Sequence, residues 1–160
     1  PDIHGQELMS DRGLADGHGV FETKLYHESA LPLKNQHFLR MITDSAAIGV
    51  DLSRSALDNV EKAIYVQASE IGVRNGIVKI ILTAGSGGRG YSSPVKMCPK
   101  LIFSYHTLDE NWAIQRDKGI ELWRCDHLLS DNSSLVGVKH LNRLDQVLGA
   151  SEANVQGYVD

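Results

Sequence analysis

Leu135-Val-Gly-Val-Lys-His-Leu-Asn-Arg-Leu-Asp-Gln-Val-Leu148 is the stretch on which the reading of this chain turns. A short β-branched run, Leu135 to Val138, delivers Lys139 into a pattern where Leu141, Leu144, Val147 and Leu148 recur at helical spacing. A lysine between an apolar strand and an amphipathic helix can be partly desolvated. Desolvation lowers its pKa and makes the amine a usable nucleophile or base. The same position also suits a surface lysine that snorkels its ammonium into water. Spacing alone leaves both readings open.

Outward from that stretch, the composition is that of a soluble globular protein. The chain has 160 residues, 42% hydrophobic and 22% charged, enough for one domain or one domain and part of another. Its net charge of −4 argues against a nucleic-acid surface as the main business. No apolar run reaches bilayer-spanning length and no signal-peptide pattern opens the sequence. The two cysteines, Cys98 and Cys125, lack metal-ligand spacing and are too few for a disulfide framework. A reduced, cytoplasmic setting is expected. The start at Pro1, and the end at Asp160 just after the strand-like Tyr158-Val159, suggest a portion of a longer protein.

Residues 1 to 18 are polar and turn-rich, with Asp11-Arg12-Gly13 and Asp16-Gly17-His18-Gly19 as loop signals. Val20 to Tyr26 is rich in strand formers, with Phe21, Thr23 and Leu25 on one face, and His27 to Leu33 is expected to turn into a short return strand. Leu39, Ile42 and Ala46 mark a helix over Lys34 to Ile48 that stops at Gly49. Ser53 is a plausible N-cap for a second helix, Arg54 to Ile71. Gly76 to Ala84 is the strongest strand, and Lys100 to Leu108 and Gly119 to Cys125 are two more, with a short helix near Asn111 to Lys118 between them. The expected class is α+β. The domain division is 1–125, an N-terminal α+β domain, followed by 126–160, a linker and the beginning of a second domain.

Gly85-Ser-Gly-Gly-Arg-Gly90 formally matches the dinucleotide fingerprint G-x-G-x-x-G. That fingerprint needs a helix directly after it to receive the pyrophosphate, and here Tyr91-Ser-Ser-Pro94 and another strand follow. The dinucleotide reading is therefore rejected. What remains is a loop presenting Arg89 and Tyr91, a fork and a phenol suited to a small carboxylate, or simply a solvated hairpin loop. His37 and Arg40 share one helix face, where the arginine could reach a phosphate or carboxylate in a cleft. No histidine pair has metal-ligand spacing, so no metal site is expected, and no Gly-x-Ser-x-Gly elbow occurs.

Four segments resemble one family in the right order. Asp11-Arg-Gly-Leu-Ala-Asp-Gly-His-Gly-Val-Phe-Glu-Thr23 resembles the N-terminal signature of the fold-type IV pyridoxal-phosphate enzymes, which include D-amino acid and branched-chain aminotransferases and aminodeoxychorismate lyases. His37-Phe-Leu-Arg40 is similar to their helix motif. Gly85-Ser-Gly-Gly-Arg-Gly-Tyr-Ser92 and Val138-Lys-His-Leu-Asn-Arg-Leu-Asp-Gln-Val147 are most similar to the bacterial aminodeoxychorismate lyases. The resemblance implies a small N-terminal domain of that fold plus the start of its C-terminal, cofactor-binding domain. It implies that Lys139 holds pyridoxal 5'-phosphate as a Schiff base and that Arg40 binds its phosphate. It implies a homodimer whose reaction turns 4-amino-4-deoxychorismate into 4-aminobenzoate and pyruvate, a step toward folate, by β-elimination. Arg89 and Tyr91 are the candidates for the substrate carboxylate. Two alternatives stand beside the lyase: a D-amino acid aminotransferase-like transaminase, and a catalytically incomplete N-terminal fragment or dimerisation module. The family's glutamate against the pyridine nitrogen and most of its phosphate site fall beyond Asp160, so these 160 residues alone are expected to lack activity.

Overall fold

A computed structural model describes residues 9–108, 111–131 and 134–158. The chain packs into two compact units, one of residues 1–107 with 138–141, the other of residues 108–137 with 142–160. Residues 108–125 therefore group with the C-terminal part of the chain, and the Lys139 segment returns to the N-terminal unit.

The first unit opens with a short helix, α1 (Arg12–Asp16), where the sequence pointed to loop. The loop signals act as caps: the Asp11 carboxylate accepts from the Gly13 N–H, and Gly17 closes the helix at φ 68°. Strand β1 (Gly19–His27), helices α2 (Lys34–Ala47) and α3 (Arg54–Glu70), and strands β2 (Asn75–Thr83) and β3 (Lys100–His106) follow. Ser53 caps α3 by accepting from the Ala56 N–H at 3.2 Å, in line with the sequence. The sheet has the order β1-β2-β3 and is antiparallel throughout, with Phe21 opposite Ile81 and Ile81 opposite Ile102.

Strand alternation splits the sheet into two faces. Val20, Tyr26, Val78, Ile80 and Leu82 face inward and pack with Phe38 and Met41 of α2 and Leu57, Ile64 and Ala68 of α3. The Tyr105 hydroxyl of β3 donates to the Ile64 carbonyl of α3, which satisfies its polar end in that layer. Phe21, Thr23 and Leu25 share the opposite, less buried face, and Glu22 and Lys24 point into the core instead.

The short return strand expected within residues 27–33 does not form. His27 and Ala30 exchange backbone hydrogen bonds across Glu28 and Ser29, both at positive φ, and Leu33 at φ 54° turns the chain directly into α2. Pro32, lacking an N–H, could not have contributed a ladder bond there.

The second unit holds α4 (Trp112–Lys118) and α5 (Leu144–Val155). The expected strand at Gly119–Cys125 is absent, because its side chains find partners on α5 rather than on another strand. The Trp123 indole N–H donates to Glu152 at 2.9 Å, and the Cys125 thiol to the Gly149 carbonyl at 3.4 Å. The Asp126 and His127 amides also donate to Glu152, and these hydrogen bonds, the Asp126 amide's above all, hold its carboxyl below the ordinary range. Helix α5 begins at Leu144 and not at Lys139, and Leu135–Val138 runs through a turn with Gly137 at φ 82°. Among the described residues, no helix is long and apolar enough to cross a membrane.

Candidate active site

Lys139 sits where it does because its backbone is used sideways. The Phe21 N–H donates to the Lys139 carbonyl at 3.0 Å, and the Leu141 N–H to the Gly19 carbonyl at 2.9 Å, so residues 139–141 extend the edge of β1. Those bonds compete with helical ones, which explains why the helical pattern from Leu141 onward begins only at Leu144. The approach requires Gly19: a Cβ there would lie 2.3 Å from the Leu82 carbonyl and 2.7 Å from a Leu141 methyl. The Lys139 N–H has its own acceptor, the carboxylate of Asp44 on α2, at 2.8 Å. The Lys139 ammonium lies over the Phe21 ring, 4.3 Å from its centroid, and the Lys79 ammonium over the same ring at 5.0 Å.

Arg40 lies one turn before Asp44, so a single stripe of α2 carries both. Its fork is engaged with Glu22: Nε donates to Oε1 and Nη2 to Oε2, each at 2.6 Å. His37, one turn earlier, places Nδ1 2.8 Å from the same carboxylate. An ionised carboxylate only accepts, so Nδ1 carries the proton. Glu22 is fully buried and Arg40 is half-exposed. Burial pushes the Glu22 carboxyl up, and the hydrogen bonds from Arg40 and His37 outweigh it, leaving Glu22 below its ordinary value. The fork's orientation is thus set from within the protein. Its Nη1 nitrogen makes no hydrogen bond among the described residues.

The glycine loop after β2 presents Arg89 and Tyr91 as exposed side chains, with no hydrogen bond or ion pair from either side chain among the described residues. No helix follows the loop directly, as the rejection of the dinucleotide reading requires. The structure sets the Lys139 backbone against Asp44, one turn along α2 from Arg40, while the Lys139 ammonium lies over Phe21, which faces the other side of β1 from Glu22. Arg89 and Tyr91 are displayed separately on the loop. Among the described residues no cluster of His, Cys, Asp and Glu is placed to hold a metal.

Sequence reasoning missed Glu22 and Asp44. A signal existed for each. For Glu22 it was ambiguous: the residue alternates with the apolar Val20 and Tyr26, but also with Lys24. Asp44 continues the His37–Arg40 stripe by one turn.

Known proteins place the chain in a family. The Amino-transferase class IV family pattern matches residues 19–160. An aminodeoxychorismate lyase of Vibrio harveyi is 25% identical over 154 residues, which are 95% of this chain and 55% of that protein. The crystal structure of 4-amino-4-deoxychorismate lyase from Pseudomonas aeruginosa is 32% identical, with a TM-score of 0.81, over 92% of this chain and 53% of that one. Branched-chain amino acid aminotransferase of Escherichia coli, at 17% identity and a TM-score of 0.82, shares the fold over 97% of this chain and 53% of its own. The chain spans about half the length of these relatives. As the collinear motifs had indicated, the chain belongs to the class IV aminotransferase family.

Proposed function

We propose that the protein carrying this sequence is a pyridoxal-phosphate-dependent lyase that converts 4-amino-4-deoxychorismate into 4-aminobenzoate and pyruvate. The observation that carries the reading is the fixed Lys139, its backbone bonded to Phe21 and Asp44 and its ammonium laid over an aromatic ring. The 32% identity to a lyase structure supports the choice of reaction within the family.

The donor set fits the cofactor: a lysine amine for an aldehyde, and an arginine held by Glu22 with one terminal nitrogen left for a phosphate. When bound, pyridoxal phosphate supplies an electron sink for negative charge at the amine-bearing carbon. Lys139 is the residue that holds it, through Nζ, and Arg40 is a phosphate contact. With the substrate amine joined to the cofactor, the Lys139 amine would serve as the base that takes the proton from the amine-bearing carbon. The bond between the neighbouring carbon and the enolpyruvyl oxygen then breaks. Enolpyruvate leaves and takes up a proton to become pyruvate, and the ring, having lost both, is aromatic. Asp44 and β1 fix the Lys139 backbone, and Arg89 with Tyr91 binds a substrate carboxylate. In this reading residues 126–160 open the cofactor-binding domain, and the working form is a cytoplasmic homodimer.

The test is incubation of the whole protein with 4-amino-4-deoxychorismate and no keto acid. Formation of 4-aminobenzoate is expected. Amino transfer that depends on an added keto-acid acceptor would instead identify a transaminase and overturn the proposal. A titration with pyridoxal phosphate should give a saturable visible absorbance band that Lys139→Ala abolishes.

A further inference from the structure

Arg12 is only 5% exposed, on a helix of five residues, and most of its acceptors belong to one loop. Its Nη2 donates to the Tyr91 carbonyl at 3.1 Å. Its Nη1 is shared among the carbonyls of Gly90 at 3.2 Å and of Gly87 and Ser92 at 3.4 Å each. Nε donates to His18 Nδ1 at 3.3 Å, and the ring's other nitrogen lies 3.0 Å from the Ile48 carbonyl, which fixes His18 as the neutral Nε2–H tautomer. Asp16 adds a carboxylate 3.4 Å from Nη2. A buried guanidinium needs acceptors, and here most of them are the inward-turned carbonyls of residues 87 to 92.

The neighbouring Asp11 holds the start of the same loop. Its carboxylate accepts from the Thr83 hydroxyl at 2.8 Å, that hydroxyl accepts from the Gly85 N–H at 3.1 Å, and the Arg12 N–H donates to the Gly85 carbonyl at 2.9 Å. The wrap is tight enough to dictate a glycine. Gly88 has φ 85°, and a Cβ on it would lie 2.3 Å from the Ser92 carbonyl and 3.1 Å from Arg12 Nη1. With the carbonyls drawn inward, the Arg89 and Tyr91 side chains are left on the outside, Tyr91 at 91% exposure.

We propose that Arg12 is a positioning residue: by gathering the loop's carbonyls around its guanidinium it presents Arg89 and Tyr91 together, and so sets affinity for the substrate carboxylate. This rests on the reading of Arg89 as a carboxylate contact. Arg12 touches neither substrate nor cofactor. Its effect passes through loop geometry, where a displacement of about 1 Å costs up to about a hundredfold.

A double-mutant cycle on the whole protein loaded with pyridoxal phosphate tests it, using Arg12→Met, Arg89→Ala and the pair. The readouts are KM for 4-amino-4-deoxychorismate and, without turnover, Kd for the carboxylate 4-aminobenzoate. Arg12→Met should raise both by about tenfold or more, with kcat and the cofactor absorbance band unchanged. In the Arg89→Ala background it should add little. Normal KM and Kd in Arg12→Met, or penalties that multiply in the pair, would overturn the positioning role while leaving Arg89 as a contact. Unchanged values in Arg89→Ala alone would instead sink the carboxylate reading on which the role rests. Should Arg12→Met not fold, Arg12→Lys runs the same cycle, because one ammonium cannot serve all four loop carbonyls. Amide exchange over residues 85–92 in that variant should quicken, and unaltered exchange would refute the tether.

Discussion

Two buried charges sit two residues apart on the same face of β1, and they have opposite fates. Glu22 is fully buried and meets an arginine fork and a histidine N–H. Lys24 is 1% exposed, and among the described residues its ammonium has no hydrogen-bond partner and lies over the face of Phe38, 3.5 Å from the ring centroid. Glu22 and Glu61 favour its charge and Arg54 and Lys34 oppose it, but burial dominates and brings Lys24 down from 10.5 to about 8. A buried charge with full hydrogen bonding orients its partners. One without it is a standing cost to the fold. The Glu22 end of the strand can therefore serve a site, and the Lys24 end weakens the domain that holds it.

The largest effect should come from breaking the satisfied end. Arg40→Met leaves the Glu22 carboxylate buried with only His37, and should lower stability by about 3–4 kcal/mol in denaturant titrations. Adding Glu22→Gln should recover much of that loss, since an amide is cheaper to bury than an unpaired carboxylate. The acid limb reports the same pair. Because the folded carboxyl lies below the ordinary 4.5, its contribution is complete above pH 4.5 and fades as pH falls through the folded value. In Arg40→Met that limb should move to higher pH. Stability unchanged in Arg40→Met would mean the fork is solvated and not structural.

Next in size is relief of the unsatisfied end. A fall from 10.5 to about 8 corresponds to about 3 kcal/mol. Lys24→Met, close in length and apolar, should therefore raise stability by about 2–3 kcal/mol at pH 7. The sign with pH follows. Below pH 8 both the folded and unfolded states carry the proton, and the penalty is full. Between pH 8 and 10.5 the folded state sheds it first, so stability rises with pH, and above 10.5 the penalty is gone. Melting curves from pH 7 to 11 should show that rise in the natural protein and none in Lys24→Met. A flat profile in the natural protein would mean that water or Glu61 reaches the amine.

This contrast also marks where the sequence stops being legible. Period-2 spacing placed Phe21, Thr23 and Leu25 on one face, and they share one. It could not say that the core lies on the other side, because the inner set contains Glu22 and Lys24 and so looks like the solvent face. Partners distant in sequence, Arg40 and His37 for one and Phe38 for the other, decided the matter. The helices α2 and α3 and the strand β2 were readable because their patterns need no distant partner. The Lys139 segment was not: Leu141, Leu144, Val147 and Leu148 have helical spacing, yet residues 139–141 spend their backbone bonds on β1 and Asp44. The four collinear motifs single out Lys139 and Arg40 as candidates all the same, since a motif needs no account of the geometry that presents it.

Asp44 gives the smallest and most local way to sharpen the comparison. Like Glu22 it is a buried carboxylate, but its hydrogen-bond partner among the described residues is one backbone N–H, that of Lys139, and not a charged fork. Losing that acceptor strands a single amide, which costs about 1–2 kcal/mol, and only if water cannot replace it. Asp44→Ala should therefore lower stability by about 1–2 kcal/mol, with the Lys139 amide exchanging faster than its neighbours on β1. Asp44→Asn keeps an oxygen acceptor and should lie much closer to the natural protein. The distinction separates two explanations of the residue. If Asp44 acts through its charge on the nearby cations, Asn should behave like Ala. If it acts by fixing the Lys139 backbone, Asn should largely rescue both exchange and stability.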